Sequence, residues 1–187
     1  MLTSELCLPI KMVIFDIDGV MTDGSIYINE YGEFFKSFNV KDGLAIELFR
    51  CHNILTGVIS GKKSPALTKR CESLGFDEVI TGCKNKLPAL IKILNKYNLS
   101  YEEIAFVGDD VLDVPIFEKV GLSIAPADSH CLALNNADFV SHLNGGQGVI
   151  RDFADLLIAS KYDIPIQDVY KPLLDKIHQE DISTMEQ

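Results

Sequence analysis

Residues 12–24 have the sequence MVIFDIDGVMTDG, in which a short apolar run is followed by acidic and glycine residues. The apolar run, Met12 to Phe15, predicts a buried strand, because a parallel strand covered on both faces lacks the polar alternation of an exposed sheet. Asp16 and Asp18 come directly after it, where open α/β sheets bind ligands. Two carboxylates so close together repel each other unless a cation or a shared proton lies between them. An ordinary turn rich in Asp and Gly is the alternative interpretation.

The composition of the chain is that of a soluble globular domain. Its 187 residues fit one domain with a sizeable core. The net charge of -10 argues against a nucleic-acid or anionic-membrane partner, because an acidic surface attracts neither. The five scattered cysteines form no CxxC pair, which predicts free thiols in a reducing cytoplasm. No apolar run approaches the roughly 20 residues of a membrane span, and the N-terminus lacks the features of a signal peptide.

The segment 25–40 is rich in aromatic and β-branched residues and follows the acidic loop. It divides into two strand-like runs around Gly32, which predicts a β-hairpin. Its position predicts a small flap over the acidic loop. The flap has too many aromatic residues for an isolated hairpin in water, so we expect it to pack on another surface, in the same subunit or in a neighbouring one. These aromatic residues are Tyr27, Tyr31, Phe34, Phe35 and Phe38.

Strand and helix patterns alternate in the rest of the chain. The predicted strands are 54–59, 79–80, 104–107, 122–124 and 139–140, and the predicted helices are 43–51, 65–74, 86–97, 112–119 and 149–159. This alternation predicts an α/β fold with a doubly wound, mainly parallel sheet. Ser64 and Pro65 match the start of a helix, and Gly75 matches its end. The stretch 145–148 predicts a turn, because no Gly-Lys-Ser/Thr follows it as in a phosphate-binding loop.

The sequence predicts one domain and a tail. Residues 1–160 are predicted to form the α/β domain, which carries the flap at about 25–40 and no large cap domain. Residues 161–187 are predicted to be a tail that is helical around 169–177 and disordered at its polar end.

Groups suited to catalysis follow several of the predicted strands. They are Asp16, Asp18, Ser60, Asp109 and Asp110 at strand ends, and Lys84 and Lys86 at the start of a helix. Because the carboxyl ends of the strands in a doubly wound sheet share one edge, we expect these side chains to converge. Such convergence is hard to explain as core structure, since buried charges are retained only when they are paired or bind a metal.

The order of these groups resembles the four-part signature of the haloacid dehalogenase superfamily phosphatases. The four parts are Asp-x-Asp-Gly-Val-x-Thr-Asp-Gly, a strand-ending Ser-Gly, a lysine at a helix start and Gly-Asp-Asp-x-x-Asp. All four occur in the right order within residues 11–159. The resemblance implies the α/β fold of that superfamily and a phosphatase that uses Mg²⁺.

The resemblance also implies a role for each residue of the signature. Asp16 is the nucleophile that attacks phosphorus and a metal ligand. Asp18 is the general acid and then the general base, and its backbone carbonyl binds the metal. Asp109 is a side-chain ligand of Mg²⁺, Ser60 donates a hydrogen bond to the phosphoryl group, and Lys86 neutralises charge. Phosphoryl transfer depends on such positioning and charge stabilisation.

Two supporting residues and one alternative belong to the same interpretation. Asp110 and Asp113 are expected to support the metal and the lysine from close by. Lys84 is the alternative to Lys86 for the lysine role. We favour Lys86, because Asn85-Lys86-Leu87 better matches the helix start of the superfamily and a phosphate suits a helix N-terminus.

The branch of the superfamily is indicated by the small flap, by residues 38–43 and by the Gly-Gly-x-Gly-Val-Ile-Arg stretch. These features resemble the family of 3-deoxy-D-manno-octulosonate 8-phosphate phosphatases. The resemblance implies a phosphorylated sugar acid as the substrate, a place in lipopolysaccharide sugar synthesis, and a homotetramer in which the flap of one subunit helps to cover the site of its neighbour. Candidates for contacting the sugar acid or organising the subunit contact are Lys41, Asp42, Gly61, Lys62 and Arg151.

The chain departs from that family at three positions. Ser60-Gly61-Lys62 stands where Thr-Gly-Arg is common, Ala45 replaces a frequent Gly, and Gln147 stands where Arg is frequent. An ammonium lacks the bidentate geometry of a guanidinium, so we expect carboxylate recognition to differ. Two alternatives therefore stay open. One is a phosphatase of sialic-type nonulosonate 9-phosphates, and the other is a non-catalytic tetramerisation module like that of certain cytidylyltransferases.

Overall fold

A computed structural model describes residues 2–185. The strands are β1 Met12–Phe15, β2 Tyr27–Asn29, β3 Gly32–Phe35, β4 Leu55–Ser60, β5 Glu78–Thr81, β6 Ile104–Val107, β7 Leu122–Ala125 and β8 Phe139–Val140. Six of them form one sheet in the order β5-β4-β1-β6-β7-β8, and every pairing in it is parallel. The predicted parallel α/β architecture is confirmed.

Helices cover both faces of this sheet. They are α1 Ser4–Cys7, α2 Val40–Cys51, α3 Pro65–Leu74, α4 Leu87–Tyr97, α5 Val114–Phe117, α6 Cys131–Asn136, α7 Val149–Tyr162, α8 Ile166–Val169 and α9 Lys171–Met185. On one face Phe15 packs in a cluster with Phe49 of α2 and Phe153 of α7. On the other face Ile14 packs in a cluster with Leu90 of α4. Because β1 is buried on both faces, its sequence is an unbroken apolar run.

Several helix limits follow from local capping. Ser64 accepts a hydrogen bond from the backbone N–H of Leu67 at 3.2 Å, and Gly75 ends α3 with a φ of 67°, as predicted. Helix α2 begins earlier than the predicted residue 43, because Asn39 caps it by accepting from the N–H of Lys41 at 2.9 Å.

Helix α5 is shorter than predicted, and three short helices, α1, α6 and α8, were not predicted at all. The predicted helix 112–119 is reduced to Val114–Phe117. Asp113 ends the preceding loop and bonds its backbone amides, so the helix starts after it. Helices α1 and α6 span four and six residues, too few for a periodic apolar pattern to emerge.

The flap is the predicted hairpin, made of the antiparallel strands β2 and β3. Tyr27 stacks on Phe35 with ring centroids 4.2 Å apart. Tyr31 is 90% exposed and Phe34 69% exposed, whereas Phe38 packs against the core. Within this chain the aromatic side chains of the hairpin strands and their turn are therefore left largely uncovered.

The C-terminal segment is helical as far as it is described. Val169 and Leu173 are buried in the same core cluster as β1. Helix α7 runs across residue 160, and the division into a domain and a tail stays a prediction. Helix α9 extends to Met185, past the predicted helical stretch 169–177, and Glu186 and Gln187 of the predicted disordered end lie outside the described residues. No helix within residues 2–185 has the length and apolar character to cross a membrane.

Candidate active site

The carboxyl ends of the central strands meet at one edge of the sheet, as the parallel pairing requires. Phe15 at the end of β1 pairs with Val58 on one side and Val107 on the other. A cavity of about 280 Å³ opens at this edge. Its lining residues are Asp16, Asp18, Gly19, Gly24, Ser60, Gly61, Lys62, Lys86, Asp109, Asp110, Leu112 and Asp113. The structure thus brings together residues that are up to 97 positions apart, Asp16 and Asp113, in one cavity.

Lys86 is buried at the centre of the charges. Its ammonium lies 2.6 Å from Oδ2 of Asp16 and 2.5 Å from Oδ1 of Asp113. Burial lowers the pKa of Lys86, but the two carboxylates outweigh burial, and the pKa is raised above its ordinary value. Lys84, the alternative for this role, is exposed and lines a different cavity. The structure therefore places Lys86 at the site.

Asp113 organises both the lysine and the loop after β6. It is fully buried, and Oδ1 accepts from Lys86. Oδ2 accepts from the backbone N–H groups of Asp109 at 3.0 Å and Asp110 at 3.2 Å. Both oxygens of Asp113 are engaged in this way, so it holds its neighbours in place.

An acidic cluster at the same edge fits a divalent cation. Asp16, Asp109 and Asp113 each offer a carboxylate oxygen within 4.8 Å of the others. Among the described residues, the buried Oδ1 of Asp109 has no hydrogen-bond partner. Burial raises the pKa of Asp109 to about 8, and the charges of Asp16 and Asp113 add to the rise. Crowded, buried oxygens of this kind are the ligands that Mg²⁺ prefers.

The nucleophile candidate shares this environment. Burial raises the pKa of Asp16 to about 6, against the opposing effect of Lys86, and Asp113 adds to the rise. Oδ1 of Asp16 accepts from the N–H of Ile17 at 2.7 Å. A bound cation would favour the ionised form of both Asp16 and Asp109, because opposite charge lowers a carboxyl pKa.

The glycine-rich turn 145–148 packs under the loop that carries Asp16 and Asp18. The N–H of Gly146 donates to the carbonyl of Val20 at 2.9 Å. A Cβ on Gly145 would lie 2.0 Å from the carbonyl oxygen of Gly19, so only glycine fits there. The predicted turn is confirmed, and its role is to support the acidic loop.

The predicted phosphoryl contact Ser60 and the predicted substrate contact Lys62 lie at the carboxyl end of β4. Ser60 is buried at the end of the strand, and its Oγ accepts from the N–H of Lys62 at 3.3 Å. The side chain of Lys62 is exposed and lines the cavity. A Cβ on Gly61 would meet no atom within 4 Å, so the backbone here faces open space.

Three predicted substrate-binding residues lie elsewhere in this chain. Lys41 and Arg151 line a separate cavity of about 540 Å³ beside Tyr170. Asp42 is buried and accepts from the N–H groups of Ile150 at 3.0 Å and Arg151 at 3.2 Å, so it caps the start of α7. Of the predicted substrate contacts, only Gly61 and Lys62 line the cavity at the sheet edge.

Sequence reasoning missed Lys36, which follows β3. Its side chain is 1% exposed, its ammonium contacts Oδ1 of Asp18, and it lies 3.2 Å from Oε2 of Glu33. Burial lowers the pKa of Lys36, but the contacts with Asp18 and Glu33 outweigh burial and raise it. A lysine between aromatic residues of the flap was the available signal.

Known proteins resemble the chain in sequence and in structure. Residues 70–152 match the haloacid dehalogenase-like hydrolase family. The chain is 43% identical over 152 residues, 81% of each protein, to 3-deoxy-D-manno-octulosonate 8-phosphate phosphatase of Salmonella typhi. The cobalt-bound deoxy-D-mannose-octulosonate 8-phosphate phosphatase of Haemophilus influenzae superposes with a TM-score of 0.85 at 34% identity, covering 90% of this chain and 99% of that one.

A further solved relative is the Moraxella catarrhalis phosphatase in complex with a magnesium ion, a phosphate ion and KDO. It superposes with a TM-score of 0.82 at 27% identity, covering 86% of this chain and 92% of that one. Two related phosphatases thus bind a metal ion, and this chain has a buried acidic cluster at the edge of the same fold. The chain is therefore a phosphatase and belongs to the haloacid dehalogenase-like hydrolases, as a relative of the 3-deoxy-D-manno-octulosonate 8-phosphate phosphatases.

Proposed function

We propose that this phosphatase hydrolyses 3-deoxy-D-manno-octulosonate 8-phosphate with the help of Mg²⁺ and through an aspartyl-phosphate intermediate. The observation that carries the chemistry is the buried contact of Lys86 with Asp16, beside the unpartnered oxygen of Asp109. The substrate is supported by the relative from Salmonella typhi, which is named for that activity. The complex of the Moraxella catarrhalis relative with magnesium, phosphate and KDO supports the same class of substrate.

In the first step a carboxylate oxygen of Asp16 attacks phosphorus, and the bond from phosphorus to the sugar oxygen breaks. Asp18 gives its proton to the departing oxygen. In the second step water attacks the phosphorus of the aspartyl-phosphate, Asp18 takes a proton from it, and phosphate leaves from Asp16. Asp18 thus ends the cycle protonated, and Asp16 ends it as a free carboxylate.

The remaining residues of the site balance the charge of the phosphoryl group and orient the groups around it. Lys86 offsets the negative charge of Asp16 and of the phosphoryl group, and Asp113 holds Lys86 in place. Ser60 donates its hydroxyl proton to a phosphoryl oxygen. Asp109, Asp16 and the backbone carbonyl of Asp18 would hold Mg²⁺, which supplies positive charge next to the phosphoryl oxygens. The all-oxygen donor set supports Mg²⁺, although Mn²⁺ and Co²⁺ accept similar ligands.

Two further predictions belong to this proposal. The exposed aromatic side chains of the flap support a homotetramer, because a second copy would cover them. The composition supports a cytoplasmic location. A non-catalytic module is disfavoured, since the intact cluster of Asp16, Lys86 and Asp109 has no purpose in assembly alone.

The test is phosphate release with and without Mg²⁺ from octulosonate 8-phosphate, a nonulosonate 9-phosphate, simple hexose phosphates and an aryl phosphate. We expect Mg²⁺-dependent release and a clear preference for the eight-carbon acid. Preference for the nine-carbon acid would identify a nonulosonate 9-phosphate as the substrate in place of octulosonate 8-phosphate. Lys62 and Gln147 would then be the residues to test for selectivity. Activity on the aryl phosphate alone would support the phosphatase mechanism and refute octulosonate 8-phosphate as the substrate. No activity on any compound would contradict the proposal that the protein is a phosphatase.

A further inference from the structure

A lysine from the flap reaches the acidic loop. Lys36 lies just after β3, in a hairpin whose other large side chains are mostly exposed, yet its own side chain is 1% exposed. Its ammonium contacts Oδ1 of Asp18 and lies 3.2 Å from Oε2 of Glu33. The flap is therefore joined by an ion pair to one of the residues that line the cavity.

The contact uses only one oxygen of the carboxylate. Among residues 2–179, whose side chains the structure describes, no hydrogen-bond donor contacts Oδ2 of Asp18. A carboxyl group that is held at one oxygen keeps its orientation while the other oxygen gives its proton as the acid and takes one back as the carboxylate. Such orientation matters, because a general acid has to lie within hydrogen-bond distance of the atom that it protonates.

Stabilisation of the flap explains this contact poorly. Removing an ammonium and a carboxylate from water is costly, and a buried ion pair is often no more stabilising than apolar residues of the same volume. The neighbouring positions Phe34 and Phe35 show that the flap carries apolar residues readily. A buried lysine at this position is better explained by what it does to Asp18.

We propose that Lys36 is a positioning residue for Asp18, which holds Oδ1 and leaves Oδ2 for the oxygen of the leaving group. This inference rests on the proposed function, because it takes Asp18 as the general acid. As the bond from phosphorus to the leaving oxygen breaks, the proton on Oδ2 moves to that oxygen. Lys36 keeps its own protons throughout and does not touch the reacting atoms.

The test is the dependence of kcat/KM on the leaving group for Lys36→Met. The substrates are aryl phosphates of similar size whose phenols differ in acidity. We expect kcat/KM to fall about 10- to 100-fold for the least acidic phenol, which needs a proton to leave. For the most acidic phenol, which leaves as the phenolate, we expect a change within about threefold. Hydrolysis of that substrate also shows that the variant is folded.

Three further variants distinguish positioning from structure. Lys36→Arg keeps the positive charge and should restore the leaving-group dependence toward that of the wild type. Glu33→Gln keeps the contact of Lys36 with Asp18 and should retain the wild-type dependence. Lys92→Met removes an exposed lysine of α4 and should change neither value.

Four results would overturn the inference. An equal loss for all aryl phosphates in Lys36→Met would make the lysine purely structural. A gain in kcat/KM would show that the ion pair restrains Asp18, and the same selective loss in Glu33→Gln would attribute the effect to docking of the flap. A wild type that hydrolyses none of the phosphates would refute the proposed function as well, whereas the first three results leave it intact.

Discussion

The edge of the sheet and the flap are built in opposite ways. At the edge, Lys86 and Asp113 are buried and bonded to each other between fixed elements of the fold. On the flap, Tyr31 and Phe34 are exposed by 90% and 69% in the part of the chain that the structure describes. The chemistry thus rests on buried, mutually bonded side chains, which can hold a site to the accuracy that catalysis needs. The flap instead presents a surface that the chain itself does not fill.

Two of the contacts between the flap and the body differ in kind. Phe38 packs on the core with Arg70 over its ring, 5.8 Å from the centroid. Lys36 contacts Asp18 through charge. The apolar contact fixes where the hairpin leaves the body, and the ion pair connects the hairpin to the acidic loop. The flap therefore leaves Tyr31 and Phe34 exposed, yet it is attached through Lys36 to Asp18, the proposed general acid.

The largest effect is expected from Asp16→Asn at the edge. The amide cannot form the aspartyl-phosphate, so phosphate release should fall by at least about 10³-fold. The circular dichroism spectrum should stay unchanged, because the two side chains have nearly the same volume. Asp163→Asn, an exposed change in the turn after α7, is the matched control and should keep full activity. Retained turnover in Asp16→Asn would contradict its role as nucleophile.

Lys86→Met tests how strongly the edge depends on charge pairing. Removing the ammonium leaves Asp16 and Asp113 buried without a counter-charge, so the free energy of unfolding should fall by about 3 kcal/mol. Urea unfolding in the absence of divalent cations measures this loss. Lys92→Met, an exposed change on α4, should leave the unfolding free energy unaltered. Equal unfolding free energies for the two variants would show that the ion pairs of Lys86 do not stabilise the fold.

Gly145→Ala tests the support beneath the acidic loop. The new Cβ would lie 2.0 Å from the carbonyl oxygen of Gly19, and backbone must move to admit it. We expect the free energy of unfolding to fall by about 2 kcal/mol, as for other overpacked sites. Gly61→Ala places its Cβ in open space, so its unfolding free energy should change by less than about 0.5 kcal/mol. Similar urea midpoints for both variants would refute the close packing.

The smallest effect on the fold is expected in the flap, from Tyr31→Asp combined with Phe34→Asp. Both side chains are exposed, so the circular dichroism spectrum should be that of the wild type. Light scattering should show a mass below that of a tetramer, because charged side chains would have to be buried between subunits. Leu8→Asp, which is 65% exposed on α1's C-terminal side, should leave the mass unchanged. A wild-type mass in the double variant would contradict an interface at the flap.

The sequence contains enough information to predict the body of the molecule. Met12 to Phe15 and Ile104 to Val107 have the limits predicted from their apolar runs, and Ser64 caps α3 as expected. Strand ends in a parallel sheet must share an edge, so the convergence of Asp16, Ser60 and Asp109 could be predicted as well.

Contacts that depend on the packing of distant elements could not be predicted. A lysine among the aromatic residues of the flap can be noticed in the sequence, but its contact with Asp18 cannot, since the direction of the hairpin is set by tertiary contacts. Asp42 has a carboxylate that could contact a substrate, yet it caps helix α7, which begins more than 100 positions later. The sequence already favoured Lys86 over Lys84, but its burial between Asp16 and Asp113 depends on how the helix start packs on the strand ends.

The hydrogen bond from Gly146 to Val20 has a consequence for how the enzyme matures. The first strand and its loop are synthesised before this backbone partner, because Gly146 lies 126 positions after Val20. Contacts between residues so far apart form late in folding, because the entropy of closing the intervening chain has to be overcome first. We therefore expect hydrolytic activity to return after helical content during refolding. A chain that contains Asp16 but still lacks Gly146 should be inactive.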